Sequence, residues 1–131
     1  MKNRRKVDEW MKRARSNMAY VKAGKISTEL LYEDLCFNAQ QAVEKALKGL
    51  CIMHGINFPR THNIEFLIEI LKKGGVIIPP REKKARLLTD YAVTARYPGG
   101  SEPVTKKEYQ KAFKITDCVL RWVEQELKKQ L

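Results

Sequence analysis

The stretch LYEDLCFNAQQAVEKALKGL, residues 31–50, sets the fold class. Leu31, Leu35, Cys36, Ala39, Val43, Ala46, Leu47 and Leu50 recur at spacings of three and four, which gathers them into one broad apolar stripe on an α-helix. Gln41, Glu44, Lys45 and Lys48 repeat at the same period on another side, so the pattern predicts one packing face and one polar face. The helix is expected to run to about Met53. Ser27 and Thr28 stand ahead of it as acceptors for its free N–H groups, with Glu29 at the positive end of its dipole.

The same arithmetic extends in both directions. Val7, Trp10, Met11, Ala14, Met18 and Val21 predict a helix from about Arg4 to about Ala23, ended by Gly24. After the loop to Pro59, Thr61 or Asn63 can open a short helix carrying Ile64, Leu67, Ile68 and Leu71, which Gly74-Gly75 closes. Val76-Ile77-Ile78 has no second strand to pair with and reads as an extended apolar connector. Pro80 fits a first helical turn, and Ala85, Leu88, Tyr91 and Ala92 give an apolar face up to about Arg96, where Pro98 and Gly99-Gly100 stop it. Thr105-Lys106-Lys107-Glu108 is a capping box, opening a helix with the stripe Tyr109, Ala112, Phe113, Thr116, Val119, Leu120, Val123 and Leu127. The sum is an all-α fold: an antiparallel up-and-down helical bundle of four main helices plus one short helix, with residues 1–131 as one domain.

Composition narrows the function. The 131 residues are 44% hydrophobic and 31% charged, with no apolar run of the roughly 20 residues a membrane span needs. MKNRRKVDEW has charges where a secretory signal has its hydrophobic stretch, so a cytoplasmic location is expected. Cys36, Cys51 and Cys118 show no C-x-x-C pair, and His54 and His62 add no ligand pattern. Reduced core cysteines, no metal site and no cofactor are the expectation. Neither a G-x-x-x-x-G-K-[ST] nor a G-x-G-x-x-G cradle is present, and no G-x-S-x-G elbow supports a serine hydrolase.

Twenty-six Lys and Arg against 15 Asp and Glu leave a net charge of +11. Residues 1–25 alone hold nine basic side chains against Asp8 and Glu9. Such a field attracts polyanions: RNA, DNA, nucleotides or an acidic protein. A basic solvated face is the plain alternative. Lying on an anionic membrane ranks lower, because the cations flank a stripe that has a core to cover.

The segment from Asn38 to Leu50, N-A-Q-Q-A-V-E-K-A-L-K-G-L, is followed by Gly55, by Pro59-Arg60-Thr61-His62, and later by Tyr91 and Arg96-Tyr97-Pro98. This combination resembles the HEPN (higher eukaryotes and prokaryotes nucleotide-binding) domain family over nearly the whole chain. The resemblance implies an all-α bundle that commonly forms a homodimer and is often encoded beside a small nucleotidyltransferase as partner. It also implies a link to toxin–antitoxin pairs, since several members are metal-independent ribonucleases. Those ribonucleases carry an R-x4-6-H motif. Here Arg96 is followed at the candidate positions by Ser101, Glu102 and Pro103, and no other arginine restores the spacing.

Cleavage by 2′-hydroxyl attack needs a base, an acid and a cation, and Arg96 supplies only the last. Arg96-Tyr97-Pro98 reads either as an anion corner, with a guanidinium fork beside a stacking ring, or as a helix end whose Arg binds exposed carbonyls. Gln40, Gln41, Lys45 and Lys48 join Arg96 in a phosphate site only if the bundle brings them together. By spacing alone, Glu44 and Lys48 are a surface pair worth a few tenths of a kcal/mol. His62 reads as a cap, with ligand binding as its alternative, and Trp10 and Trp122 as packing residues. The expected function is a non-catalytic module for a nucleotide, RNA or a partner nucleotidyltransferase, binding through Arg96, Tyr97, Lys45, Lys48 and Gln41. The alternative is a metal-independent toxin-type ribonuclease using Arg96 with His62 or Tyr97.

Overall fold

The structure, a computed structural model, describes residues 3–89, 91 and 103–130. Arg96, Tyr97 and Pro98, together with the helix end expected of them, lie outside the described residues. Among the described residues five α-helices follow in order: α1 (Arg4–Ala23), α2 (Tyr32–Met53), α3 (Ile64–Lys73), the single turn α4 (Pro80–Lys83), and α5 (Lys106–Lys128). No strand occurs among them, and Val76-Ile77-Ile78 is the expected extended connector, burying Val76 and Ile78 while Ile77 points outward.

The bundle is organised around α2, which packs against both α1 and α5 and also meets α3. Val7, Met11, Ala14, Met18 and Val21 form the inner face of α1, as their spacing predicts. Gly24 ends that helix at φ +67°, a left-handed conformation that glycine adopts without a Cβ penalty. The Tyr109 hydroxyl of α5 donates to the Val21 carbonyl at 2.6 Å, answering one of the acceptors the helix end leaves open. On α5, Thr105 Oγ1 accepts from the Glu108 N–H at 3.1 Å, which is the hydroxyl half of the expected capping box. The Glu108 carboxylate accepts from the Tyr91 hydroxyl at 3.0 Å.

Two boundaries differ from the sequence reading. Helix α2 starts at Tyr32, later than the Ser27-Thr28 signal implies, because Ser27 Oγ accepts from the Glu29 N–H at 3.2 Å and closes a local turn. Leu31 is the N-cap without a side-chain bond, and Glu33 and Asp34 take the favourable first-turn positions. The helix opened by Pro80 is α-helical only to Lys83 and continues as a 3-10 helix over Lys84–Leu88. Its buried residues Glu82, Ala85 and Leu88 fall at intervals of three, the period that a 3-10 helix places on one face. In the short helix α3, Asn63 is the cap, accepting from the Phe66 N–H at 3.1 Å, while Thr61 Oγ1 accepts from the Asn63 N–H.

Cys36 and Cys51 are buried, and none of the three cysteines forms a disulfide; burial pushes the Cys51 thiol up to about 12, with Lys48 opposing the shift. Trp122 packs in the core as expected. No described helix is long and apolar enough to cross a membrane.

Gly49 lies at the contact of α1 and α2, where a Cβ would sit in van der Waals contact, 3.4 Å from Met11 Sδ and 3.4 Å from Trp10 Cβ. Gly49→Ala fits that space and gains about 0.5–1 kcal/mol of helix propensity. Gly49→Leu forces the helices apart and costs about 1–3 kcal/mol. Urea unfolding of the two variants should therefore shift in opposite directions.

Candidate functional site

Residues 40, 44 and 48 of α2 form a row one position round the helix from the core row 39, 43 and 47, and all three are buried: Gln40, Glu44 and Lys48. An ionised carboxylate is tolerated inside a protein only when donors replace the water it loses. Glu44, 3% exposed, is fully answered. Its Oε1 accepts from His62 Nδ1 at 2.7 Å and from Gln40 Nε2 at 3.2 Å. Its Oε2 accepts from Lys48 Nζ at 2.9 Å. Gln40 Nε2 also donates to the His62 carbonyl at 3.0 Å, and Gln40 Oε1 accepts from Gln41 Nε2 at 2.8 Å. The network fastens the chain ahead of α3 to the middle of α2.

The Lys48 ammonium lies 5.5 Å from the Trp10 ring centre and 5.8 Å from that of Phe58, so two aromatic faces complete its surroundings. Trp10 and Phe58 meet edge to face at 6.1 Å. This corrects two expectations. Glu44 and Lys48 are not a surface pair but a buried one, because α2 has neighbours on several sides and covers a row that its own period marks as polar. His62 is neither cap nor free side chain, since Asn63 holds the capping position. Because a carboxylate can only accept, His62 Nδ1 carries the shared hydrogen, and the imidazole, 65% exposed, presents Nε2 as its remaining polar atom. Chemically, the arrangement is an exposed imidazole aimed by a buried carboxylate.

Lys45 points the other way. Its Nζ donates to Asn17 Oδ1 at 2.7 Å, and Asn17 Nδ2 donates to Asn38 Oδ1 at 2.9 Å, so an amide pair ties α1 to the outward stripe of α2. Burial holds Lys45 below the ordinary lysine value of 10.5; Glu44 opposes that shift and the nearby cations Arg13 and Lys48 add to it. Of the expected phosphate-binding residues, α2 therefore carries Gln41, Lys45 and Lys48 on one helix but directs Lys45 to the α1 side and Lys48 into its ion pair. Asn17 and Asn38 are absent from the sequence-derived site. Their signal was the position of each one turn from a basic or polar neighbour on the edge of its stripe. Among the described residues no group of three His, Cys, Asp or Glu side chains could hold a metal ion.

Two outcomes check this geometry. Glu44→Gln leaves the Lys48 ammonium, 8% exposed, without its anion and should cost about 3–5 kcal/mol in urea unfolding. Combining it with Lys48→Met should recover most of that loss, because the charge left behind is gone. Lys45 binds its proton less tightly in the folded than in the unfolded chain. Its contribution to stability therefore rises as pH climbs through the interval between its depressed value and 10.5, and its Nζ should titrate ahead of exposed lysines by NMR.

With the bundle and its polar centre in view, the comparisons with known proteins agree with one another. The family model described as HEPN domain matches residues 7–127. The crystal structure of TT1696 from Thermus thermophilus is similar at a TM-score of 0.76 and 29% identity, covering 91% of this chain and 96% of that one. The crystal structure of ST0689, an archaeal HEPN homologue, is similar at a TM-score of 0.71 and 26% identity, covering 92% of this chain and 96% of that one. No curated protein matches. A model matched from within the first helix to within the last, on an all-α bundle, leads to one conclusion: this chain belongs to the HEPN domain family.

Proposed function

We propose that the chain is a non-catalytic HEPN binding module whose α1–α2 face receives the phosphates of a nucleotide or RNA. The observation that carries this is charge left unanswered on a rigid helix. Lys6, on the flank of α1 that meets α2, is exposed and makes no ion pair among the described residues, and Arg5 and Lys12 on the outward side of the helix and Lys22 on its α5 side, exposed and likewise outside the ion pairs, add to the field. Arg13 is held only loosely by Glu9, at 3.9 Å, and stands close enough to Lys45 to depress its proton affinity. Cations fixed on a rigid helix exchange condensed counterions for phosphate contacts, which gives affinity that falls with salt. The neighbouring amides of Asn17, Asn38 and Gln41 supply donors that would orient a phosphate or a base. Arg96 and Tyr97 belong to the same proposal as an anion corner. Family membership supports two further parts of it: a homodimer as the working state, and a nucleotidyltransferase as protein partner, since HEPN proteins often pair with one.

A second reading has its own observation. The imidazole of His62, oriented by Glu44 at 2.7 Å and largely exposed, has the arrangement of a general base. In that reading the chain is a metal-independent ribonuclease, with Arg96 supplying charge stabilisation and the second proton-transfer group coming from Tyr97.

One preparation separates the two. Calorimetric titration with nucleotides and a short RNA over a salt series should give binding whose logarithm falls with a slope of about −2 to −3, on the order of three to four phosphate contacts. The RNA recovered from the same mixture, incubated in EDTA, should be intact. Absence of binding to every nucleotide and RNA at low salt removes the phosphate reading and leaves the protein partner alone. Cleavage that His62→Ala abolishes replaces it with the ribonuclease.

A further inference from the structure

Along one flank of α1 the residues Lys6, Trp10, Arg13, Asn17 and Tyr20 follow one another at alternating spacings of four and three, a straight row on a helix. Against this row lies the outward stripe of α2, where Phe37, Asn38, Gln41 and Lys45 interrupt an otherwise buried central stretch. The Asn17–Asn38 and Lys45–Asn17 bonds, at 2.9 Å and 2.7 Å, hold row and stripe side by side. The resulting face is graded. Cations occupy one end (Lys6, Arg13, Lys45), amides the middle (Asn17, Asn38, Gln41), and two exposed rings the other end, with Tyr20 62% and Phe37 43% accessible.

We propose that this face is a platform for a single-stranded nucleic acid, with Tyr20 and Phe37 stacking on bases while Lys6, Arg13 and Lys45 hold the backbone. The proposal rests on the phosphate-binding function proposed for the same face and deepens it by naming the form of the ligand. Phosphate capture alone gives no reason to leave two large rings in water on the edge of a cationic row. Rings beside cations are what a strand with splayed bases uses, because every base has a π-face to stack and each phosphate needs a counter-charge. A duplex hides those faces inside its own stack. Asp34, exposed on the α2 stripe beyond Phe37, strengthens the polarity of the face: it repels phosphate at the ring end and leaves that end to bases. From Lys6 to Tyr20 the row spans about 21 Å, enough for several nucleotides.

The test uses the full chain and fluorescence anisotropy of a labelled oligouridylate dodecamer, with a duplex of equal length, inorganic polyphosphate and polyglutamate as competitors. The single strand should compete about tenfold better than the duplex. Tyr20→Ala and Phe37→Ala should each weaken oligouridylate binding about tenfold while leaving competition by polyphosphate and the salt slope unchanged. Tyr20→Phe should bind as the parent does, since stacking needs the ring and not the hydroxyl. Both positions are exposed, and a thermal melt of each variant checks that the bundle is intact. If both alanine variants bind oligouridylate like the parent, or if duplex and single strand compete equally, the platform is overturned and phosphate binding stands. If the parent binds neither oligouridylate nor polyphosphate, both fall. Polyglutamate competing as well as oligouridylate assigns the face to an acidic protein and overturns the platform.

Discussion

A carboxylate in the middle of the central helix governs how this bundle is assembled. Glu44 is buried, and removing an ionised oxygen pair from water costs several kcal/mol unless donors replace the water. The chain supplies them from one turn before (Gln40), one turn after (Lys48) and the connection ahead of α3 (His62). Each donor places a demand on its own surroundings. Lys48 draws the Trp10 and Phe58 rings over its ammonium, and His62 fixes the path of the chain before Asn63 caps α3. One buried charge thus helps define the positions of α1, the loop carrying Phe58, and α3 relative to α2. Hydrophobic contact alone is tolerant of small slips; a network with every acceptor satisfied is not.

The same arrangement divides the polar residues of α2 into two sets with different work. Gln40, Glu44 and Lys48 are spent on the interior. Asn38, Gln41 and Lys45 remain on a narrow outward stripe between buried rows, joined to α1 through Asn17. Because that stripe rides on a helix packed along its length, its cations and amides keep their spacing without help from a ligand, and ordering costs on binding are correspondingly small. The Tyr109 hydroxyl on the Val21 carbonyl fixes the far end of α1 in a similar way.

The elements that could be read from residues alone are those whose signals are local. The limits of α1, the Gly24 stop, the Asn63 and Thr105 caps and the inner stripe of α5 all follow from bonds or periodicity within a few residues. Where two local signals compete, the outcome was not legible. Ser27 offered its oxygen to a turn in preference to the helix, and the run after Pro80 carried both an α-like apolar face and the three-residue interval of Glu82, Ala85 and Leu88 that its 3-10 continuation uses.

For the site, the residue order already held the inventory: an excess of cations concentrated in the first helix, amides and lysines in step on the second, and the motif set that marks the HEPN family. Which of those groups face water was settled by packing. Helical periodicity reports the amphipathicity of one helix toward one partner, whereas α2 is enclosed by α1, α3 and α5 together. Enclosure on several sides turned Glu44 and Lys48 from a surface pair into the buried centre of the molecule, brought His62 to Glu44 across 18 residues of chain, and left Lys45 and its amide neighbours outside. The reason is that burial depends on how many elements surround a helix, a quantity that no single helix encodes.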